Sequence, residues 1–109
     1  MDKREGNDAR DADGNEYELK SVNRLLTQSF STHHHLNPTI LKKYRAVHGW
    51  YFAVYEHVRL VAIYSLKPTQ LEPYFQKWED KWNGNSRDIN NPKIPIKFIE
   101  ANGVRVYPE

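Results

Sequence analysis

Glu18 and Lys20 stand two residues apart in the run EYELK, residues 16 to 20, and Asp8 precedes the turn-forming Asp13-Gly14-Asn15 by about as much as Glu18 follows it. Side chains two apart on a strand share a face, so Glu18 and Lys20 project together, and a hairpin closed near Gly14 brings Asp8 beside Glu18. Two converging carboxylates repel unless a cation lies between them. Hard oxygen ligands suit Mg²⁺, which takes few protein carboxylates and keeps positions for water and phosphate oxygens. A lysine next to such an ion can hold and help deprotonate an attacking water and offset the charge that grows on a phosphorane. The chemistry open to this set is therefore phosphodiester hydrolysis. A Glu-x-Lys spacing alone is common on solvated strands of alternating charge, so the set needs support from elsewhere in the chain.

Positioning these groups is the task of a β-hairpin expected over residues 5 to 23. Asn37 followed by Pro38 reads as an N-cap with proline at the first helical position, opening a short helix through Ile40, Leu41 and Tyr44 that ends near Val47 to Gly49. Residues 50 to 56 and 58 to 66 are dense in aromatic and β-branched side chains and predict two central strands, antiparallel because so few residues separate them. From Thr69 to Trp82 the residues Leu71, Phe75, Trp78 and Trp82 form the stripe of an amphipathic helix, with Pro73 in its first turn. A polar loop over Asn83 to Asn91 follows. Ile94 to Glu100 and Val104 to Tyr107 flank Asn102-Gly103, which predicts a closing hairpin. The order is strand, strand, helix, strand, strand, helix, strand, strand, a mixed α/β or α+β fold.

The chain has 109 residues, which fits one domain spanning 1–109, and its 39% hydrophobic and 13% aromatic content is enough for a core. It holds no cysteine, no apolar run of membrane-span length and no signal-peptide pattern at its start, so neither disulfides, secretion nor a membrane span is indicated and an intracellular setting is expected. Net charge is only +2, yet residues 1 to 20 carry −3 and the remainder +5. An acidic hairpin on a basic body suits a protein that binds a polyanion and carries a cation site.

Four blocks carry a more specific signal: Arg4-Glu5-Gly6-Asn7-Asp8, Glu16-Tyr17-Glu18-Leu19-Lys20-Ser21, Phe30-Ser31-Thr32-His33-His34-His35, and Asp88-Ile89-Asn90-Asn91-Pro92-Lys93-Ile94-Pro95. In order and spacing they resemble the PvuII family of type II restriction endonucleases, within the PD-(D/E)XK nuclease superfamily, over nearly the whole chain from Arg4 to Tyr107. The resemblance implies a restriction-endonuclease-like core, a central mixed β-sheet flanked by helices. It implies that Asp8 and Glu18 bind one or two Mg²⁺ ions per active site, that Lys20 is the catalytic lysine, and that Glu5 and Tyr44 help order the attacking water. Asn7, where the superfamily motif has proline, matches the pattern of this family.

The run His33-His34-His35 could by itself bind a metal, line a polar surface or contact DNA. The resemblance implies DNA, with His34 and His35 donating to major-groove acceptors, His33 beside them, and Ser31 and Thr32 in support. Asn90 and Asn91 are implied to contact bases. Lys93, with Lys42, Lys43 and Arg45 as weaker candidates, is implied to hold phosphates. Taken as a set, these contacts imply double-stranded DNA as partner, a CAGCTG site and a blunt double-strand cut in a prokaryotic cytoplasm. In the family the chain ahead of the catalytic hairpin forms most of a homodimer contact, and this sequence starts only a few residues before Glu5. A palindromic cut needs two active sites about a two-fold axis. The resemblance therefore leaves open a homodimer formed on DNA or through another surface, two successive nicks, a partner subunit, or a DNA-binding remnant that cuts poorly.

Overall fold

The computed structural model describes residues 9–109. Strand β1 (Ala9–Arg10) pairs antiparallel with β2 (Glu16–Asn23), in the register Ala9↔Tyr17 and Arg10↔Glu16. The turn between them closes as its residue types require. Gly14 adopts φ +88° and its N–H donates to the Asp11 carbonyl at 3.0 Å, while the Asp11 carboxylate accepts the N–H groups of Asp13 and Asn15 and the Tyr17 hydroxyl. The expected hairpin is thus present from Ala9 onward. Its earlier residues, Glu5 and Asp8 among them, lie outside the described residues.

Beyond β2 the chain forms β3 (Ser29–Ser31) and α1 (Pro38–Ala46), then returns as β4 (Gly49–Glu56), parallel to β2 in the register Glu18↔Trp50, Lys20↔Phe52 and Val22↔Val54. The start of α1 follows its sequence signal: Asn37 is extended and its side-chain oxygen accepts the Ile40 N–H at 3.0 Å. Antiparallel to β4 runs β5 (Arg59–Leu66), and β7 (Val104–Tyr107) closes the far edge, giving a mixed five-stranded sheet in the order β1-β2-β4-β5-β7. A short 3₁₀ turn over Pro68–Leu71 leads into α2 (Glu72–Asn85), which buries Phe75 and Trp78.

The C-terminal part departs from expectation. Residues 94 to 100 are not one strand of a hairpin; β6 (Lys93–Pro95) pairs antiparallel with β3 in a separate two-stranded sheet, and Ile96–Asn102 is a helix, α3. Its buried residues Ile96 and Ile99 sit three apart, a helical spacing. Gly103 ends α3, its N–H donating to the Ile99 carbonyl at 2.8 Å.

The core lies on the sheet face that carries the even-numbered residues of β2, β4 and β5. Trp50, Phe52, Val54 and Leu66 meet Leu41 and Tyr44 of α1, Phe75 and Trp78 of α2 and Ile99 of α3. Trp50 and Phe52 stack with ring centroids 5.6 Å apart, and each such buried side chain contributes about 1.5–3 kcal/mol. The opposite face is more open, with a groove of about 440 Å³ lined mainly by Leu19, Tyr51, Ala53, Tyr55, Ile63 and Val106. No helix among the described residues is long and apolar enough to cross a membrane.

Candidate active site

Strand β2 delivers Glu18 and Lys20 to the core face, as the two-residue alternation requires, next to Trp50 and Phe52 of the parallel strand. Glu18 is the buried charged residue of the described chain, at 6% exposure. Lys20 Nζ lies 3.5 Å from Glu18 Oε1, donates to the Thr32 carbonyl at 3.1 Å, and stands 5.6 Å from the centre of the Tyr44 ring. Burying a carboxylate costs several kcal/mol unless charge or donors compensate it, and the Lys20 ammonium supplies positive charge beside Glu18. Tyr44 is buried edge-on against Trp50 at 4.8 Å. That contact gives the floor under Lys20 a fixed orientation.

The two segments expected to meet DNA come together through β3 and β6, although about sixty residues separate them. Ser31 pairs with Lys93, and its hydroxyl accepts from Asn91 Nδ2 at 3.3 Å and Lys93 Nζ at 3.1 Å. Thr32 Oγ1 donates to the Pro92 carbonyl at 2.6 Å. Leu36 and Ile89 form a bridge with reciprocal N–H···O bonds of 2.9 and 2.8 Å. His34, His35 and Asn90 are exposed at the ends of these ties, and Asn91 is held at φ +50°. His33 is half-buried, and its Nδ1 accepts the His35 N–H at 3.0 Å. Burial lowers the His33 pKa, with Lys20 and the neighbouring His34 and His35 adding to the effect and Asp88 opposing it. The neutral imidazole, with Nδ1 free of a proton, is the form that makes this bond.

A family model for restriction endonuclease PvuII matches residues 1–107 of the chain. The chain belongs to this family. It is therefore a site-specific DNA endonuclease, acting on phosphodiester bonds, and DNA is its substrate.

Within this PvuII-family chain the structure brings Glu18, Lys20 and Tyr44 into one cluster and Ser31, Thr32, Asn91 and Lys93 into an adjoining one, linked through the Lys20–Thr32 bond. Arg45 is drawn away from a phosphate-holding role: it donates to Glu72 at 2.7 Å and lies 3.0 Å from Glu79, and the Glu72 hydrogen bond raises its pKa. Glu16 pairs with Arg10 at 2.6 Å at the edge of the sheet. No group of three His, Cys, Asp or Glu side chains converges among the described residues, and of the two expected metal ligands Glu18 is the one within them. Glu18 offers the hard oxygen that Mg²⁺ takes, and Asp8, the other expected ligand, lies outside the described residues.

Nothing in the sequence marks the Thr32 carbonyl as a partner of Lys20. A main-chain acceptor leaves no mark in residue type, and the three-residue strands that set it in place carry too little periodicity to be seen.

Proposed function

We propose that this chain is a Mg²⁺-dependent endonuclease of the PvuII kind, cutting duplex DNA at CAGCTG to blunt ends in a prokaryotic cytoplasm, with Asp8, Glu18 and Lys20 at its centre. The observation that carries the reading is the burial of Glu18 beside Lys20, on the strand face that adjoins the segment of His33 to His35. In this reading Glu18 and Asp8 would hold the ion. When bound, Mg²⁺ supplies charge neutralisation at the scissile phosphate and makes water easier to deprotonate.

The protein's own groups do the rest. Lys20, backed by the Tyr44 ring, holds the attacking water and helps its deprotonation, and offsets the negative charge that builds on the phosphorane. Tyr44 and Glu5 help to order that water. Packing around Glu18 and Lys20, whose side chains are 8% and 17% exposed, keeps the local dielectric low and so strengthens both effects. His34, His35, Asn90 and Asn91 read base edges, His33, Ser31 and Thr32 hold the readers, and Lys93 adds phosphate affinity.

Supercoiled plasmids with and without one CAGCTG site, incubated in Mg²⁺ and separately in Ca²⁺, test the proposal. The expected product is linear DNA, in Mg²⁺ and from the site-bearing plasmid alone. Open circles alone would instead establish a nicking enzyme, and binding with no cleavage in either ion would reduce the chain to a DNA-binding module.

A further inference from the structure

We propose that Thr32 is a positioning residue that couples base reading to cutting, a step that rests on the reading of Lys20 as the catalytic lysine. Thr32 makes two bonds in different directions. Its carbonyl accepts Lys20 Nζ at 3.1 Å, and its hydroxyl donates to the Pro92 carbonyl at 2.6 Å. The first bond reaches the cutting centre. The second reaches the segment that carries Asn90 and Asn91.

Both neighbours of Thr32 are tied into the same reading surface. Ser31 holds Asn91 and Lys93 through its hydroxyl, and the three histidines follow directly, with His33 Nδ1 fixing the His35 N–H. At the far end Leu36 is bonded to Ile89. Cross-ties at Ser31, Thr32 and Leu36 make the two segments one unit, so a base contact that moves either of them moves the Thr32 carbonyl. An ammonium-to-carbonyl bond is charge-assisted and directional, and it carries that movement to Nζ.

Cutting is far more sensitive to such a displacement than binding is, because a shift of about 1 Å in a catalytic group costs about a hundredfold in rate. A cognate site seats the histidine and asparagine segments together and leaves Nζ in place. A mismatched base pair shifts the joined segments as a unit, and the displacement at Thr32 takes Lys20 out of line even where the duplex stays bound. Part of the discrimination then appears in the rate of the bound complex and not in affinity.

The test compares parent, Thr32→Val, Thr32→Ala and Thr32→Ser on a site duplex and on a duplex with one altered base pair. Dissociation constants are measured in Ca²⁺ and single-turnover cleavage rates at saturating protein in Mg²⁺. In both variants that lack the hydroxyl, the ratio of saturated rates, site over mismatch, is expected to fall about tenfold, the effect of one lost hydrogen bond, and by clearly more than the ratio of dissociation constants falls. Thr32→Ser keeps both ratios. Reading two such variants prevents a packing defect in one from deciding the result. Parent-like rate ratios in the folded variants, or equal losses in both ratios, overturn the coupling. A parent that cuts no duplex in Mg²⁺ rejects the Lys20 reading itself, which is a different outcome.

Discussion

His33 shows how much one ring nitrogen decides in this protein. Its Nδ1 must be free of a proton to accept the His35 N–H, and burial, reinforced by Lys20, His34 and His35 and opposed by Asp88, keeps its pKa below the ordinary histidine value. A folded-state pKa below the unfolded one means that the contribution to stability is present above the unfolded value of about 6.5 and is lost as pH falls through the folded value. Thermal melts of the DNA-free protein should therefore decline as pH drops below about 6.5. His33→Asn, whose side-chain oxygen accepts at any pH, should decline less over the same range. Identical pH slopes for parent and variant would remove His33 from this role. At this scale the sequence showed much: alternation alone put Glu18 and Lys20 on one face. It could not show what Lys20 touches, because the Thr32 partner is a carbonyl that every residue type carries.

Among the elements, those with a strong periodic or capping signal formed where expected. The Asn37 cap, the stripe of α2 and the antiparallel pair β4 and β5 are examples. Residues 94 to 102 went the other way. Ile94, Ile96 and Phe98 fall two apart as on one face of a strand, but Ile96 and Ile99 also fit a helical turn, and α3 is only seven residues long. Packing settles it in favour of the helix, since Ile96 and Ile99 are both buried and Phe98 meets the Tyr74 ring at 4.9 Å. Gly103, which reads as half of a hairpin turn, serves as the helix stop, and its lack of a side chain is needed for a different reason. A Cβ there would lie 2.6 Å from Leu66 Cδ1 and 2.9 Å from the Ile99 carbonyl oxygen. Gly103→Ala should destabilise the protein by about 1–3 kcal/mol, the range of overpacked cores, and urea unfolding measures it. An unchanged midpoint would show that α3 and β5 can separate at little cost.

At the scale of the whole molecule, the family resemblance implied a mixed sheet and one set of DNA-contacting residues, but neither the parallel pairing of β2 with β4 nor the joining of the two reading segments was legible. The crossover through β3 and α1 and the β3–β6 pair depend on contacts between residues far apart in the chain, which local patterns do not encode. The same scale governs assembly. A blunt cut at a palindrome requires two centres about one two-fold axis, so on a site-bearing duplex the protein should be bound as two copies. Light scattering with and without that duplex checks this: a complex holding one copy would exclude concerted double-strand cutting.

The role proposed for Lys20, beside buried Glu18, is chemical and not only that of a structural counter-charge. The most direct measurement is the single-turnover cleavage rate of a site duplex in Mg²⁺ for parent and Lys20→Ala, with the dissociation constant of each in Ca²⁺ measured alongside. Loss of at least about a hundredfold in rate, the scale of removing one electrostatic stabiliser, with affinity nearly unchanged, is the predicted result. Cleavage by Lys20→Ala at the parent rate would leave Lys20 as a counter-charge to Glu18 with no part in the chemistry.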